Sequence, residues 1–371
     1  MNERDALLAA ILANPDEDTP RLMFADWLMD SGDADRGNFI RLQIEAARAE
    51  PFGPVARARA AEAQRVYENR RSDWEPHLRG GRATNWSYTR GFVEHVRVDA
   101  SNFHELAPAM FAVEPIRAVQ PVRTPLVGSL SWFFETPELA RVACLDLSAL
   151  DHSPVEIQYL GENPRLATLT DLSLGTRPIL PPWLNGLLTG PGLPALAGLD
   201  LRELSHLGVC LSDALPRLDH RMLLRLNLNR VVFSSDQIQR TLASRCLREV
   251  EELRLGWGLP DPSALTLLDL GWVIPWNHLR LLDLTGQGVG SAGVDEIVKE
   301  LTRRKEPAPL RWLGLANNGI GSDGFRRLID SDPAKVNLFY LNVSGNNLSA
   351  SQRTALEARF GKEAIDTTRP A

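Results

Sequence analysis

Acidic residues crowd the first fifty positions, where carboxylates could bind a metal ion or act as general acids and bases. Eleven acids occur there, and seven of them lie between residues 16 and 35, at Asp16, Glu17, Asp18, Asp26, Asp30, Asp33 and Asp35. The segment from Asp33, "DADRGN", begins like a calcium-binding loop but has Asn38 at the sixth position and Ile44 at the twelfth, where such loops need Gly and Glu. A calcium site is therefore not expected. The acids before residue 20 are better explained by a helix start, with Asp18 or Thr19 as the cap and Pro20 as the first helical residue.

The other residue types that carry chemistry are scattered. Cys144, Cys210 and Cys246 form no CxxC pattern, the seven histidines form no i, i+4 pair, and no GxSxG, P-loop or HExxH motif is present. We therefore expect no catalytic residues, no metal and no cofactor. Widely spaced cysteines in odd number favour reduced thiols in the cytoplasm.

Composition and charge restrict the partners. The 371 residues are 44% hydrophobic and 24% charged with a net charge of −6, which is typical of a globular protein and argues against a general nucleic-acid binder. The apolar run "ALLAAILA" is flanked by Glu3 and Asp5, so a signal peptide is not expected, and no run approaches the roughly 20 apolar residues of a membrane span. Residues 52–82 form a basic segment that we interpret as a solvated connecting helix, with a nucleic-acid patch as the alternative.

A repeat organises most of the chain. "LRWLGLANNGI" (310–320) and "LFYLNVSGNNL" (338–348) share the pattern LxxLxLxxNxL, and weaker copies extend upstream. The second apolar residue of each copy serves as a marker, and the markers are Val96, Val119, Leu145, Leu172, Leu199, Leu226, Leu253, Leu282, Leu313 and Leu341. Their spacing lies between 23 and 31 residues and includes four consecutive intervals of 27. A fixed period of this length predicts stacked α/β units that share one core.

The pattern resembles that of the leucine-rich repeat family, over about residues 90–350, and the period near 28 resembles its ribonuclease-inhibitor-type subclass. The resemblance implies an α/β solenoid, a horseshoe with parallel strands on the concave face and helices on the convex face. Apolar spacing after Gly293 and Gly324 predicts two of these helices. The family's turn asparagine occurs only at Asn318 and Asn346, with Gln287 in the copy before them; upstream copies place Arg177, Leu204, Val231 and Gly258 there.

Side chains that flank the inward leucines would line the concave face. Leu281, Trp312 and Tyr340 fall on successive strands and predict an apolar, partner-binding patch; Arg254, Asp283 and Asn342 in the neighbouring column complete the candidate partner-binding residues. Alternatively, a C-terminal cap covers these rings, since a solenoid needs capped ends.

The N-terminal segment is similar to a bacterial module called the repeat-companion domain. Its D-x-P-R-L-x-[FY]-A-D-W-L core matches residues 18–28, and its R-G-x-F-I-R-x-Q stretch matches residues 36–43. That module has no assigned chemistry, so the resemblance implies a helical companion to the repeats and no active-site residue.

Together these observations predict a helical module at 1–50, a basic connecting helix and N-terminal cap at 51–89, about ten repeats at 90–350 and a C-terminal cap and tail at 351–371. The predicted function is a protein–protein interaction scaffold with an unidentified protein partner, acting as a monomer without nucleic acid or membrane. The alternatives are a regulator of an enzyme, for example GTPase-activator-like, or an enzyme itself.

Overall fold

The computed structural model describes residues 2–74, 83–122, 131–150, 160–175, 181–218, 221–257 and 274–367. Residues 368–371 of the predicted tail, Arg177 and Gly258 of the predicted turns, and residues 75–82 of the basic segment lie outside this part. The chain divides into two compact units, Met1–Glu156 with Asn163–Leu169, and Ile157–Glu162 with Thr170–Ala371. The predicted boundaries near residues 50, 89 and 350 stay predictions.

Unit 1 begins with four helices: α1 (Glu3–Ala13), α2 (Asp18–Asp30), α3 (Ala34–Arg48) and α4 (Pro54–Trp74). The Asn2 and Asp33 side chains cap α1 and α3 by accepting backbone N–H bonds. The expected start of α2 was wrong by two residues: Glu17 is its cap residue, without a side-chain bond, and Asp18 and Thr19 lie inside the helix. The left-handed Gly32 separates α2 from α3.

The strands of unit 1 follow these helices. β1 (Asn85–Thr89) pairs with β2 (Phe92–Asp99) in an antiparallel hairpin, and β3 (Ala118–Val122) and β4 (Cys144–Asp146) add in parallel. α5 (Phe103–Phe111) connects β2 to β3, while α6 (Ser131–Phe134) and a 3-10 helix (Pro137–Arg141) precede β4. Val96 pairs with Val119, and Val119 with Leu145, so these markers are confirmed as one row. The repeat pattern did not predict β1.

Unit 2 contains eight short strands among its described residues. They are β5 (Asp171–Ser173), β6 (Gly198–Asp200), β7 (Arg225–Asn227), β8 (Glu252–Arg254), β9 (Leu281–Asp283), β10 (Trp312–Gly314), β11 (Tyr340–Asn342) and β12 (Ile365–Asp366). Consecutive strands are parallel, and the seven predicted markers from Leu172 to Leu341 pair directly with one another. β12 was not predicted; its Ile365 continues the row beside Leu341.

Helices connect these strands. They are α7 (Pro181–Thr189), α8 (Gly208–Ala214), α9 (Ser235–Leu242), α10 (Gly290–Thr302), α11 (Ser322–Ile329) and α12 (Ala350–Phe360). The two helices predicted after Gly293 and Gly324 are confirmed, with their apolar residues from Val294 to Leu301 and at Phe325 and Leu328 buried. The marker leucines are at most 2% exposed, and each contributes about 1.5–3 kcal/mol to folding. Among the described helices, none has the length and apolar character needed to cross a bilayer.

Candidate functional site

The residues that matched the N-terminal module meet the first hairpin of unit 1. Arg21, which is fully buried, forms an ion pair with Glu94 of β2 at 2.7 Å. Its guanidinium also donates to the carbonyls of Thr89 and Arg90, at 3.2 and 3.1 Å. One arginine of α2 therefore holds the helix to both strands of the hairpin.

Three arginines hydrogen-bond to the turn between α1 and α2. Arg21 and Arg90 both donate to the Pro15 carbonyl, at 2.6 and 2.9 Å, and Arg90 also reaches the Asp16 carbonyl at 2.8 Å. Arg117 bonds the Asp16 carboxylate at 3.2 Å. The acidic turn that first suggested chemistry is thus an anchor for the helices.

Arg36 supplies a second attachment. Its guanidinium lies 4.8–5.9 Å from the ring centroids of Phe39, Trp74, Tyr88 and Phe92, and it donates to the Gly91 carbonyl at 2.6 Å. Arginine over aromatic faces is a favourable cation–π arrangement.

Gly91 and Gln43 complete the junction. The Gln43 amide donates to the Tyr88 carbonyl and accepts from the Gly91 N–H. A Cβ at Gly91, whose φ is +89°, would lie 2.3 Å from Ile40 Cγ1, so the helix can approach the hairpin only because this residue is glycine.

Electrostatics at the junction follow from burial. Burial lowers the pKa of Arg21 and raises the pKa of Glu94, while the attraction between the two charges opposes both shifts. Removing one partner of such a pair costs about 3–5 kcal/mol, because the other charge is left buried. The residues that match the N-terminal module therefore have a structural role, which is to hold the helices against the first hairpin.

In unit 2, the side chains on either side of the marker leucines form what we call the strand face. Arg225 of β7 bonds both oxygens of Asp171 of β5, at 2.7 and 2.9 Å. The pair passes over Gly198 of β6, where a Cβ would lie 1.9 Å from Asp171 Oδ1. The bond to Asp171 raises the pKa of Arg225. The predicted site residue Arg254 is also held, by Glu252 at 3.1 Å.

Two predicted binding residues, Asp283 and Asn342, have a structural role in strand ends. Each side chain accepts the backbone N–H two residues on, from Thr285 and Ser344, both at 3.0 Å. The same bond recurs at equivalent positions in both units, at Asp146, Asp200 and Asn227. The column is acidic or amidic because these groups satisfy turn N–H groups.

The predicted aromatic patch is only partly available. Leu281 is 1% exposed, which corrects the expectation that its side chain reaches solvent: it belongs to the core. Trp312 and Tyr340 are half-buried and stacked, with ring centroids 5.2 Å apart and planes at 13°. The Tyr340 hydroxyl donates to Asp366 of β12 at 2.9 Å, and burial together with Asp366 raises its pKa to about 12. The C-terminal segment thus bonds one ring, and both rings keep partial exposure.

The sequence patterns placed Asp171 and Arg225 on the strand face but did not predict the ion pair between them, and they did not predict that Trp257 is exposed. Trp257 follows β8 in a left-handed conformation, φ 59°, and is 50% exposed, with its ring against Gly286. The sequence did contain an indication of the Asp171–Arg225 pair, because the strand between these two charged positions has the small residue Gly198 at the equivalent place. Within the described ranges, no group of three or more His, Cys, Asp or Glu is arranged to hold a metal ion.

No family model matches the chain, and no curated protein matches it. A chain of the solved structure described as "Crystal structure of Rad7 and Elc1 complex in yeast" is similar, at 13% sequence identity and a TM-score of 0.48. The match covers 100% of this chain and 96% of that one. The coordinates themselves define unit 2 as a repeat solenoid of stacked parallel strands.

Proposed function

We propose that this protein is an interaction scaffold of the leucine-rich repeat class that presents the strand face of unit 2 to a protein partner. The proposal rests on one observation: side chains of that face are already held in place by one another in the unbound chain. Asp171 and Arg225, Glu252 and Arg254, and Trp312 and Tyr340 are held against one another across or along the strands. A surface already ordered before binding loses little side-chain entropy in a complex.

The kind of partner follows from this chemistry. Half-buried Trp and Tyr rings and a hydrogen-bonded arginine are the residue types that dominate protein–protein affinity. Because the charges at Asp171, Arg225, Glu252 and Arg254 are balanced, the face lacks the excess of positive charge that a nucleic-acid backbone selects. A protein with its own polar and apolar groups fits this face best.

The proposal extends to the repeat subclass, the N-terminal module, the oligomeric state and the compartment. The helices between strands in both units support the ribonuclease-inhibitor-type subclass, for which the horseshoe curvature is expected. The junction at Arg21, Arg36 and Gln43 supports a repeat-companion domain whose work is to attach helices to the first hairpin. We further propose a monomer that acts in the cytoplasm and is not itself an enzyme; catalytic turnover by the purified chain would contradict the last part.

The test uses the full chain as bait for affinity capture, compared with Trp312→Ala and with the control Trp132→Ala. Trp132 is 65% exposed, lies in α6 of unit 1 and does not belong to the strand face as defined in unit 2. Loss of a central aromatic anchor typically costs about 2 kcal/mol or more of binding energy. We therefore expect a partner whose affinity falls about thirtyfold in Trp312→Ala and stays unchanged in the control.

Thermal unfolding of each variant separates a lost contact from a lost fold. The proposal fails if every captured protein binds both variants as tightly as the unmodified chain while Trp312→Ala remains folded. Arg225→Ala provides a second probe of the same face, at a position whose side chain does not belong to the leucine core.

A further inference from the structure

Lysine is rare in this chain, and the loop between α10 and β10 holds one lysine and is bonded by another. Only four of the 41 basic residues are lysines, and three of these are Lys299, Lys305 and Lys335. Lys305 belongs to the loop "RRKEPAP" at residues 303–309, and the Lys335 ammonium donates to the backbone carbonyls of Arg304, at 2.8 Å, and Lys305. Lys335 therefore fixes the loop backbone from a neighbouring repeat.

A cavity of about 300 Å³ lies at this loop. It is lined by Asn277, Arg304, Lys305, Glu306 and residues 307–309, and the Arg304 guanidinium donates to the Asn277 side-chain oxygen. Pro307 and Pro309 restrict the backbone of the wall. The volume is about ten times the share of liquid volume that one water molecule occupies, so a polyatomic ligand fits.

The charges at the cavity differ from those around it. On the adjoining helices, Lys299 and Arg327 pair with Asp295, both at 2.7 Å, and Arg303 pairs with Glu300. Across the described residues, by contrast, Arg304, Lys305 and Lys335 enter no ion pair with a carboxylate. The charged residues that line the cavity are Arg304, Lys305 and Glu306, a net charge of +1, and Lys335, which bonds the loop backbone, adds a further positive charge beside it.

Burial acts on the arginine of this cavity. It lowers the pKa of Arg304, an effect that Glu300 opposes and the neighbouring charge of Arg303 increases. A bound anion would stabilise the charged form of this partly buried guanidinium.

We infer that this cavity is an anion site that binds a phosphate group, with Arg304 and Lys305 as its contacts and Lys335 holding the loop. A phosphate group presents three strongly accepting oxygens, so it can accept hydrogen bonds from the Arg304 guanidinium and the Lys305 ammonium at the same time. The site is separate from the strand face, so the inference does not depend on the proposed function.

Isothermal titration calorimetry of the full chain with inorganic phosphate tests the inference, with acetate at the same ionic strength as the comparison anion. We expect saturable, millimolar phosphate binding, about fivefold or more tighter than acetate, because two charge-assisted contacts form with a dianion. A short peptide that carries phosphoserine identifies the source: tighter binding than phosphate points to a side-chain phosphate, and equal binding to the free ion.

Two variants locate the site. Lys305→Ala removes an exposed side chain that makes no bond among the described residues, so the fold is preserved, and phosphate affinity should fall about fivefold. Arg303→Ala is the matched control, since that neighbouring arginine pairs with Glu300, and affinity should stay within about twofold. The absence of saturable binding, equal affinity for acetate, or equal losses in the two variants would each overturn the inference.

Discussion

The C-terminal and the central repeats of unit 2 differ in how the turn after each strand is stabilised. In the C-terminal repeats, the Asn318 side chain accepts the N–H groups of Gln287 and Val289, at 2.9 and 3.1 Å, and donates to the carbonyls of Leu284 and Ala316. Asn346 repeats this arrangement one step further on. In the central repeats, buried Leu204 and Val231 occupy the same place.

The central turns lack a side-chain bond at the asparagine position, where the N–H groups of Leu204 and Val231 donate to the Leu201 and Leu228 carbonyls of their own repeats, at 3.3 and 3.0 Å. The N–H groups of Glu203 and Arg230 donate to carbonyls of the following repeat, both at 2.7 Å. Their left-handed conformations, φ 66° and 65°, are unfavourable for residues with a side chain; in the C-terminal repeats this position is held by Gly286, Gly345 and Asn317, an asparagine that tolerates its φ of 53°. Gly286 and Asn317 make the same bond to the following repeat, both at 2.8 Å, so what replaces the asparagine in the central turns is the buried packing of Leu204 and Val231.

The largest expected effect comes from exchanging one turn type for the other. Asn318→Leu copies the residue of a central turn but removes all four of these side-chain bonds from buried backbone groups, among them the bond to the Val289 N–H. We expect the free energy of unfolding to fall by about 3–5 kcal/mol, measured by urea denaturation. A loss below about 1 kcal/mol would show that the C-terminal turn can adopt the backbone-bonded form without further changes.

A smaller effect concerns another side-chain hydrogen bond of the C-terminal repeats, from Tyr340 to Asp366. The pKa of Tyr340 is raised from 10.0 to about 12, so the bond is complete below pH 10 and is lost as the pH rises through about 12. Because the ring is partly exposed, we expect Tyr340→Phe to destabilise the protein by about 1 kcal/mol below pH 10.

The difference in unfolding free energy between the unmodified chain and Tyr340→Phe should shrink between pH 10 and 12, since other titrating groups are common to both. Unfolding curves recorded from pH 8 to 12 give this difference. A difference that stays constant, or grows, across that range would contradict the assigned bond.

The smallest effect is a gain in stability. Arg230→Gly removes the left-handed strain of a central turn, and we expect a gain of about 0.5 kcal/mol after the entropy cost of glycine. Arg202→Gly is the matched control at a neighbouring exposed arginine without positive φ, and it should destabilise. Thermal unfolding compares the two, and an equal loss in both would show that the turn at Arg230 carries no strain.

Much of the fold was predictable because its signal is local and periodic. Each marker from Val96 to Leu341 occupies the strand position that the repeat assigned to it, and the helices after Gly293 and Gly324 formed as expected. β1 and β12 escaped prediction because they cap the sheet without carrying the LxL pattern. The strand-face residues were predicted by column, but which of them reach solvent depends on neighbours about 27 residues away in the chain.

The sequence by itself determined which residues of neighbouring strands pair in the core of this protein. Leucines that recur at a near-constant interval have no stable place except a shared core, so the register of the strands follows from hydrophobic burial. Only the tertiary structure decided which side chains beside these leucines are exposed and which are bonded to one another. It buried Leu281, joined Arg225 to Asp171 across Gly198, and bonded Tyr340 to Asp366. These outcomes depend on side-chain size, charge and reach between strands, and such contacts exist only once the repeats are stacked.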